Sequence, residues 1–296
     1  MTKLADLRKK VMEKTKKKVE EAYTEKDRYI IQAIEALDDL DAAYNLLVER
    51  LREWYGLHFP EVNQLVKDHE KFVRLVSEIG AREKMTKDVL EAVLGEKLAE
   101  RVAEVASQSM GTELSGDDLK MIQDFASRVK ELKEMRDRLA DYIREQMEKI
   151  APNVAAVAGP LLGARLISKA GGLKKLAMLP ASTIQVLGAE KALFKHLAKG
   201  TPPPKHGILF QHPLVRNAKR WQRGKIARAI AAKLAIAARE DYFGGKDISE
   251  QLLKEIEQRV EEIKEKYPNP PKRAKPQGKG GKFKGKRKSK GKKGKR

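Results

Sequence analysis

Two stretches of seven-residue periodicity constrain this chain more than any other feature. Ile30, Leu37, Tyr44 and Leu51 recur every seven residues, and Ala33, Leu40, Leu47 and Trp54 recur with the same period, offset by three. Alternating spacings of three and four make the apolar seam of a coiled coil. A second seam runs through Ile122, Val129, Ile143 and Ile150 with Phe125, Leu132 and Leu139, interrupted by polar Arg136 and Gln146. Each seam corresponds to roughly 40 Å of helix at about 1.5 Å per residue. Between them lie shorter helical patterns broken at Pro60, Gly80, Gly95 and Gly111: Leu65, Phe72, Val76 and Ile79 in one, Val89, Ala92, Val93, Leu98, Val102 and Val105 in the next ones. This order predicts an antiparallel coiled-coil hairpin over residues 27–150, with a helical insert at its tip over about residues 57–116. The Leu/Val faces of such a tip gain from a second copy, so homodimerisation through it is expected; a monomer with the tip folded back is the alternative. Residues 1–26 read as a charged lead segment.

The composition changes at Ala151-Pro152-Asn153. Acids nearly vanish and glycine and proline punctuate shorter helices. A helix is expected from Gly159-Pro160 to Ala170, a long one from Leu214 to Arg239, and a last one from Asp247 or Ser249 to Lys266. Residues 205–213 look extended. A compact α-helical domain over residues 151–266 follows from this pattern. From Tyr267 onward the chain is Lys/Gly/Pro-rich and is expected to be disordered over residues 267–296, because it cannot bury enough surface to offset its ordering entropy. The fold class is therefore all-α. With 41% hydrophobic and only 5% aromatic residues, a sandwich or barrel is disfavoured.

Catalytic chemistry is hard to find. There is no cysteine, which removes disulfides, thiolate metal sites and cysteine nucleophiles. The five histidines show no zinc-protease spacing, and no glycine loop carries the Lys-Ser/Thr of a phosphate loop. A catalytic site, a metal and a cofactor are all expected to be absent. No run of apolar residues reaches membrane-spanning length and no signal sequence opens the chain, so an intracellular, soluble protein without membrane contact is expected.

The charge is the positive evidence. Of the net +21, residues 268–296 contribute 14 Lys/Arg and no acid, and residues 151–240 hold 16 Lys/Arg against Glu190 and Glu240 alone. A folded segment this basic repels itself and points to a polyanionic partner. Lys191, Lys195 and Lys199 form a stripe at i, i+4, i+8 beside His196, with Leu193, Phe194 and Leu197 on the apolar side of the same helix. Arg216, Lys219, Arg220 and Arg223 fall on one face of the next helix. The loop between contributes Lys205, His206, Gln211 and His212. Lysines and arginines can track phosphates while a loop histidine or glutamine meets an unpaired base, and with no helix–turn–helix or zinc-finger pattern RNA is favoured over DNA. A basic coiled-coil homodimer meeting another protein or an anionic membrane is the alternative class.

Four blocks then carry a resemblance. They are Leu51-Arg52-Glu53-Trp54-Tyr55-Gly56-Leu57-His58-Phe59-Pro60-Glu61, Gly159-Pro160-Leu161-Leu162-Gly163-Ala164-Arg165, Gly188-Ala189-Glu190-Lys191-Ala192-Leu193-Phe194 and Pro203-Pro204-Lys205-His206-Gly207-Ile208-Leu209-Phe210-Gln211-His212-Pro213. In this order they closely resemble the Nop family over about residues 25–265, and in particular its archaeal branch, the scaffold of box C/D small ribonucleoproteins; the splicing-factor branch shares the domain. The resemblance implies a non-catalytic, RNA-binding role. One surface would bind a kink-turn in a box C/D guide RNA together with the small ribosomal-protein-like factor already on it. The coiled coil would self-dimerise. Fibrillarin, the partner that binds S-adenosylmethionine, would carry out 2′-O-methylation of rRNA in the archaeal cytoplasm. Gly188, Ala189, Glu190 and Lys191, with Lys195 and Lys199, would face RNA and bound protein; His212 would touch RNA closely, and Phe194 would lie in the core. Only about 25 residues precede the hairpin, so the family's fibrillarin-docking domain is expected to be missing.

Overall fold

The computed structural model describes residues 27–270, together with residue 8, residues 11–13 and residue 15. Most of the lead segment and the basic tail beyond residue 270 lie outside the described residues. Among the described residues every regular element is a helix, and none is a strand.

Helix α1 (Asp27–Tyr55) and helix α6 (Gly116–Ile150) lie side by side in opposite directions. Ile30, Ile34 and Leu37 share a cluster with Ala140, Ile143 and Met147, whereas Val48, Leu51 and Tyr55 share one with Ile122, Ala126 and Val129. The buried seam differs from the predicted one by a single position. Ile34, Val48 and Tyr55 are buried where Ala33, Leu47 and Trp54 were expected; Ala126, Ala140 and Met147 are buried in place of Phe125, Leu139 and Gln146. The 4-3 and 3-4 alternations are equally periodic, so the pattern alone does not choose between them. The remaining position of this seam in α1 is Asp41, and opposite it stands Arg136. Its guanidinium donates twice to the Asp41 carboxylate, at 2.7 and 3.3 Å. The interruption in one helix thus meets the interruption in the other. Asp137 and Lys133 extend this polar waist.

The waist separates two cores. Beyond it, helices α2 (Val62–Leu65), α3 (His69–Glu78), α4 (Lys87–Leu94) and α5 (Glu96–Ser107) close the tip. His58 pins that insert: Nδ1 bonds the Thr112 carbonyl at 2.8 Å and Nε2 accepts the Arg82 N–H at 3.2 Å. Gly111 packs so tightly on the His58 carbonyl that a Cβ would lie 1.9 Å from it.

Below the waist, the hairpin base merges with a second helical layer. This comprises α7 (Pro152–Ala158), α8 (Pro160–Ala170), α9 (Leu173–Met178), α10 (Ala181–Val186), α11 (Glu190–Lys199), α12 (Pro213–Arg216), α13 (Arg223–Arg239) and α14 (Ser249–Lys266). Helix α13 is its axis. Ile226, Ile230 and Leu234 are fully buried, and Ala227, Ala231 and Ala238 let α7, α9, α10 and α14 approach closely. Arg165 of α8 ties this layer to the hairpin through Asp38, at 2.6 Å.

Three expectations fail here. Residues 205–213 are not extended but form a 3-10 turn (Ile208–Gln211) running into α12. The helix expected from Leu214 to Arg239 is broken between Arg216 and Arg223. Lys219, Trp221 and Gln222 in that break hold the end of α14, donating to the carbonyls of Pro268 (3.3 Å) and Tyr267 (2.9 Å each). Tyr267 and Pro268, expected at the start of a disordered tail, are therefore anchored. No helix among the described residues is long and apolar enough to cross a membrane.

Candidate nucleic-acid interface

Two loops build the site by touching. The Gly207 N–H donates to the Gln185 carbonyl (2.9 Å) and the Ile208 N–H to the Leu187 carbonyl (2.8 Å). Gly188 sits at φ +79°, where a Cβ would lie 2.3 Å from Cγ2 of Ile208, and a Cβ on Gly207 would lie 1.8 Å from the Leu187 oxygen. Both glycines are steric requirements of this junction. Glu190 turns back to accept the Gly188 N–H at 2.7 Å. Glu190, the one acid of residues 151–239, is thereby committed to holding the loop.

From this junction, after Ala189, α11 projects outward. None of its residues is buried. Lys191, Lys195 and Lys199 are all exposed, in the stripe that their spacing predicts. The apolar side is the correction. Phe194 is 67% and Leu197 71% exposed, so Phe194 is not a core residue; among the described residues no other helix packs closely against α11. His196 bonds the Thr201 carbonyl through Nδ1 and steadies the carboxyl end, where Gly200 takes the left-handed conformation.

Beside α11 the loop presents a stack. His206 lies on Phe210 with ring centroids 5.0 Å apart and a 20° interplanar angle, and the Arg223 guanidinium is 5.2 Å from the same Phe210 ring. Burial lowers the proton affinity of His206, and the neighbouring charges of Arg223 and Lys205 lower it further. These effects favour the neutral imidazole, which lies flat against an aromatic ring. Lys205 packs across Gly224.

His212 and the Arg216–Arg223 group are placed differently from expectation. His212 is only 8% exposed. Its Nε2 bonds the Val157 carbonyl at 3.0 Å and its Nδ1 accepts the Leu214 N–H at 3.2 Å. With both ring nitrogens used, it is a buried cap of α12 rather than an open base contact, and burial lowers its pKa. Gln211 is tethered by Arg165, whose Nη1 donates to Oε1 at 3.2 Å. Arg216, Lys219, Arg220 and Arg223 do not share one helix face, because the chain turns between them. Arg223 folds back to donate to the carbonyls of Ala218 (3.0 Å) and Arg216 (3.2 Å). These side chains follow a curved turn, with Arg216, Lys219 and Arg220 exposed. Sequence reasoning missed Phe210 and Trp221; aromatic residues interleaved with Lys and Arg were the available signal. No group of acids and histidines suited to a metal ion occurs among the described residues.

A family model described as "Nop: snoRNA binding domain, fibrillarin" matches residues 36–262. The chain belongs to the Nop family. An uncharacterized NOP5 family protein of Methanocaldococcus jannaschii is 54% identical over 258 residues, covering 87% of this chain and 62% of that protein. Nucleolar protein 58 of Schizosaccharomyces pombe is 43% identical over 221 residues, 75% of this chain and 44% of its own length. The chain thus spans about half to three fifths of these relatives. A chain in the crystal structure of a fibrillarin/Nop5p complex is 31% identical with a TM-score of 0.49, covering 88% of this chain and 78% of that one. The Nop-family match encloses the whole junction, from Gly188 to Arg223.

Proposed function

We propose that this Nop-family chain is a non-catalytic scaffold of a box C/D guide ribonucleoprotein. It binds a kink-turn RNA together with the small ribosomal-protein-like factor already seated on it, in support of guide-directed 2′-O-methylation of rRNA. The observation that carries this reading is α11: a projecting helix with lysines on one side, bare Phe194 and Leu197 on the other, and a His206–Phe210–Arg223 stack at its foot. Such a helix suits a composite partner. Phosphates answer the lysines, unpaired bases answer the flat stack, and an apolar protein surface answers Phe194 and Leu197. The family description, with its snoRNA and fibrillarin, supports the same reading. Methyl transfer and its S-adenosylmethionine belong to fibrillarin in this scheme. Self-association through the tip at residues 57–116 is part of the proposal, supported by exposed Leu57 and Met110, which lie in neighbouring segments there.

The test is Lys191→Glu with Lys195→Glu. Both side chains are exposed, so helical circular dichroism should be unchanged while assembly on the pre-bound kink-turn is lost. Normal assembly by that variant moves the site elsewhere.

A further inference from the structure

The far end of α13 carries a surface that this reading does not use. After Arg239 the helix continues as a π-helical turn, Glu240–Gly244. Such turns often mark functional sites, and this one has a visible cause. Asp241 is drawn inward, where it accepts the N–H groups of Asn153 (3.0 Å) and Val154 (2.8 Å) and the Asn153 Nδ2 (2.7 Å), closing the amino end of α7. The two aromatic residues that follow are left outside. Tyr242 is 37% and Phe243 66% exposed, and their rings meet edge to face at 4.7 Å and 88°.

Helix α9 supplies the rest of the surface. Leu173, Leu176 and Ala177 are buried, and Arg239 Nε fastens the Ala177 carbonyl at 3.2 Å. Lys174, Lys175 and Met178 are left exposed, and Lys174 Nζ lies 5.9 Å from the Tyr242 ring centroid. Residues 169–178 hold three lysines and no acid. Aromatic rings interleaved with cations form the stacking platforms that take single strands: a base covers the ring and a phosphate meets the ammonium. A purely apolar protein partner would instead desolvate Lys174 and Lys175 without a counter-charge.

We propose that Phe243 and Tyr242, with Lys174 and Lys175, form a second RNA contact that takes unpaired nucleotides flanking the kink-turn. This rests on the reading of the chain as an RNA-binding subunit. Helix α13 has 17 residues, so the surface stands about 25 Å along the helix from Arg223. One RNA with a single-stranded extension can reach both ends.

The test uses the full chain and two RNAs pre-bound by the kink-turn protein, one bearing an oligouridine extension and one without it. The extension should tighten wild-type binding roughly tenfold, the effect of about one stacked base. Phe243→Ala and Lys174→Glu/Lys175→Glu should each lose that gain while binding the unextended RNA normally, and Phe243→Trp should keep it. If the wild type assembles on both RNAs with equal affinity, the second contact is wrong and the kink-turn reading stands. If Phe243→Ala retains the gain, or weakens binding to both RNAs equally, the surface serves another partner or the fold, and the proposal is overturned. If the wild type binds neither RNA, both readings fall.

Discussion

Replacing Phe194 with Ala separates the two places this ring could act. A Phe side chain presents roughly 150–250 Å², and two thirds of this one is in water. In the free protein its removal creates no cavity, so stability should change by no more than about 0.5 kcal/mol. In a complex that covers the ring, roughly 100–150 Å² of apolar surface is lost from the interface, or about 2.5–3.8 kcal/mol at about 25 cal/mol per Å². That corresponds to roughly a 60- to 500-fold weaker Kd. The assay pairs a thermal melt with a titration against the kink-turn RNA pre-bound by its protein. A melting temperature within about 2 °C of wild type, with affinity reduced at least tenfold, is the expected result. A large drop in melting temperature refutes the exposed placement of the ring. Unchanged affinity refutes α11 as the docking element.

Three other outcomes follow from the packing. Arg136→Met alone leaves the half-buried Asp41 carboxylate without its partner in the seam and should lower the melting temperature, whereas Asp41→Leu with Arg136→Leu makes the seam continuous and should restore or exceed it; a double variant less stable than the single one contradicts the waist. His206 and His212 bind protons less readily in the folded chain than in the unfolded one, whose histidines titrate near 6.5. Unfolding therefore takes up protons below about pH 6.5, and stability should fall there by up to about 1.4 kcal/mol per pH unit for each group; His212→Gln should flatten the slope measured by denaturant titration, and an unaltered slope assigns it elsewhere. Ending the chain at residue 270 removes 14 Lys/Arg but keeps the Tyr267 anchor. RNA affinity and its salt dependence should both diminish while kink-turn preference survives in a competition gel shift; loss of preference would place recognition in the tail.

Much of the fold was legible because it rests on long-range periodicity. The two long antiparallel helices, the helical insert between them and the helix break at Ala151 each follow from apolar spacing or from Gly and Pro. The seam register was not, since Leu47 and Val48 are equally apolar and only the partner helix decides which one is buried. Local signals misled where tertiary bonds took over. The apolar run at residues 208–210 suggests a strand, but Gly207 and Ile208 spend their N–H groups on the loop at Gln185 and Leu187. The Arg216–Arg223 spacing suits a helix, but the chain breaks to bring Trp221 and Gln222 to the carbonyl of Tyr267. At the site, the lysine stripe of α11 was readable from its spacing. The inward turn of His212 and the outward turn of Phe194 were not, because hydrophobic character alone does not report which neighbour is absent.

The most direct test of the scaffold reading is a gel-shift titration of the full chain at moderate salt against a box C/D kink-turn RNA alone, the same RNA pre-bound by its kink-turn protein, and a kink-disrupted control. A supershift confined to the pre-bound kink-turn is the predicted result. Equal binding to all three would contradict it, leaving a basic helical hairpin with salt-dependent affinity for any RNA.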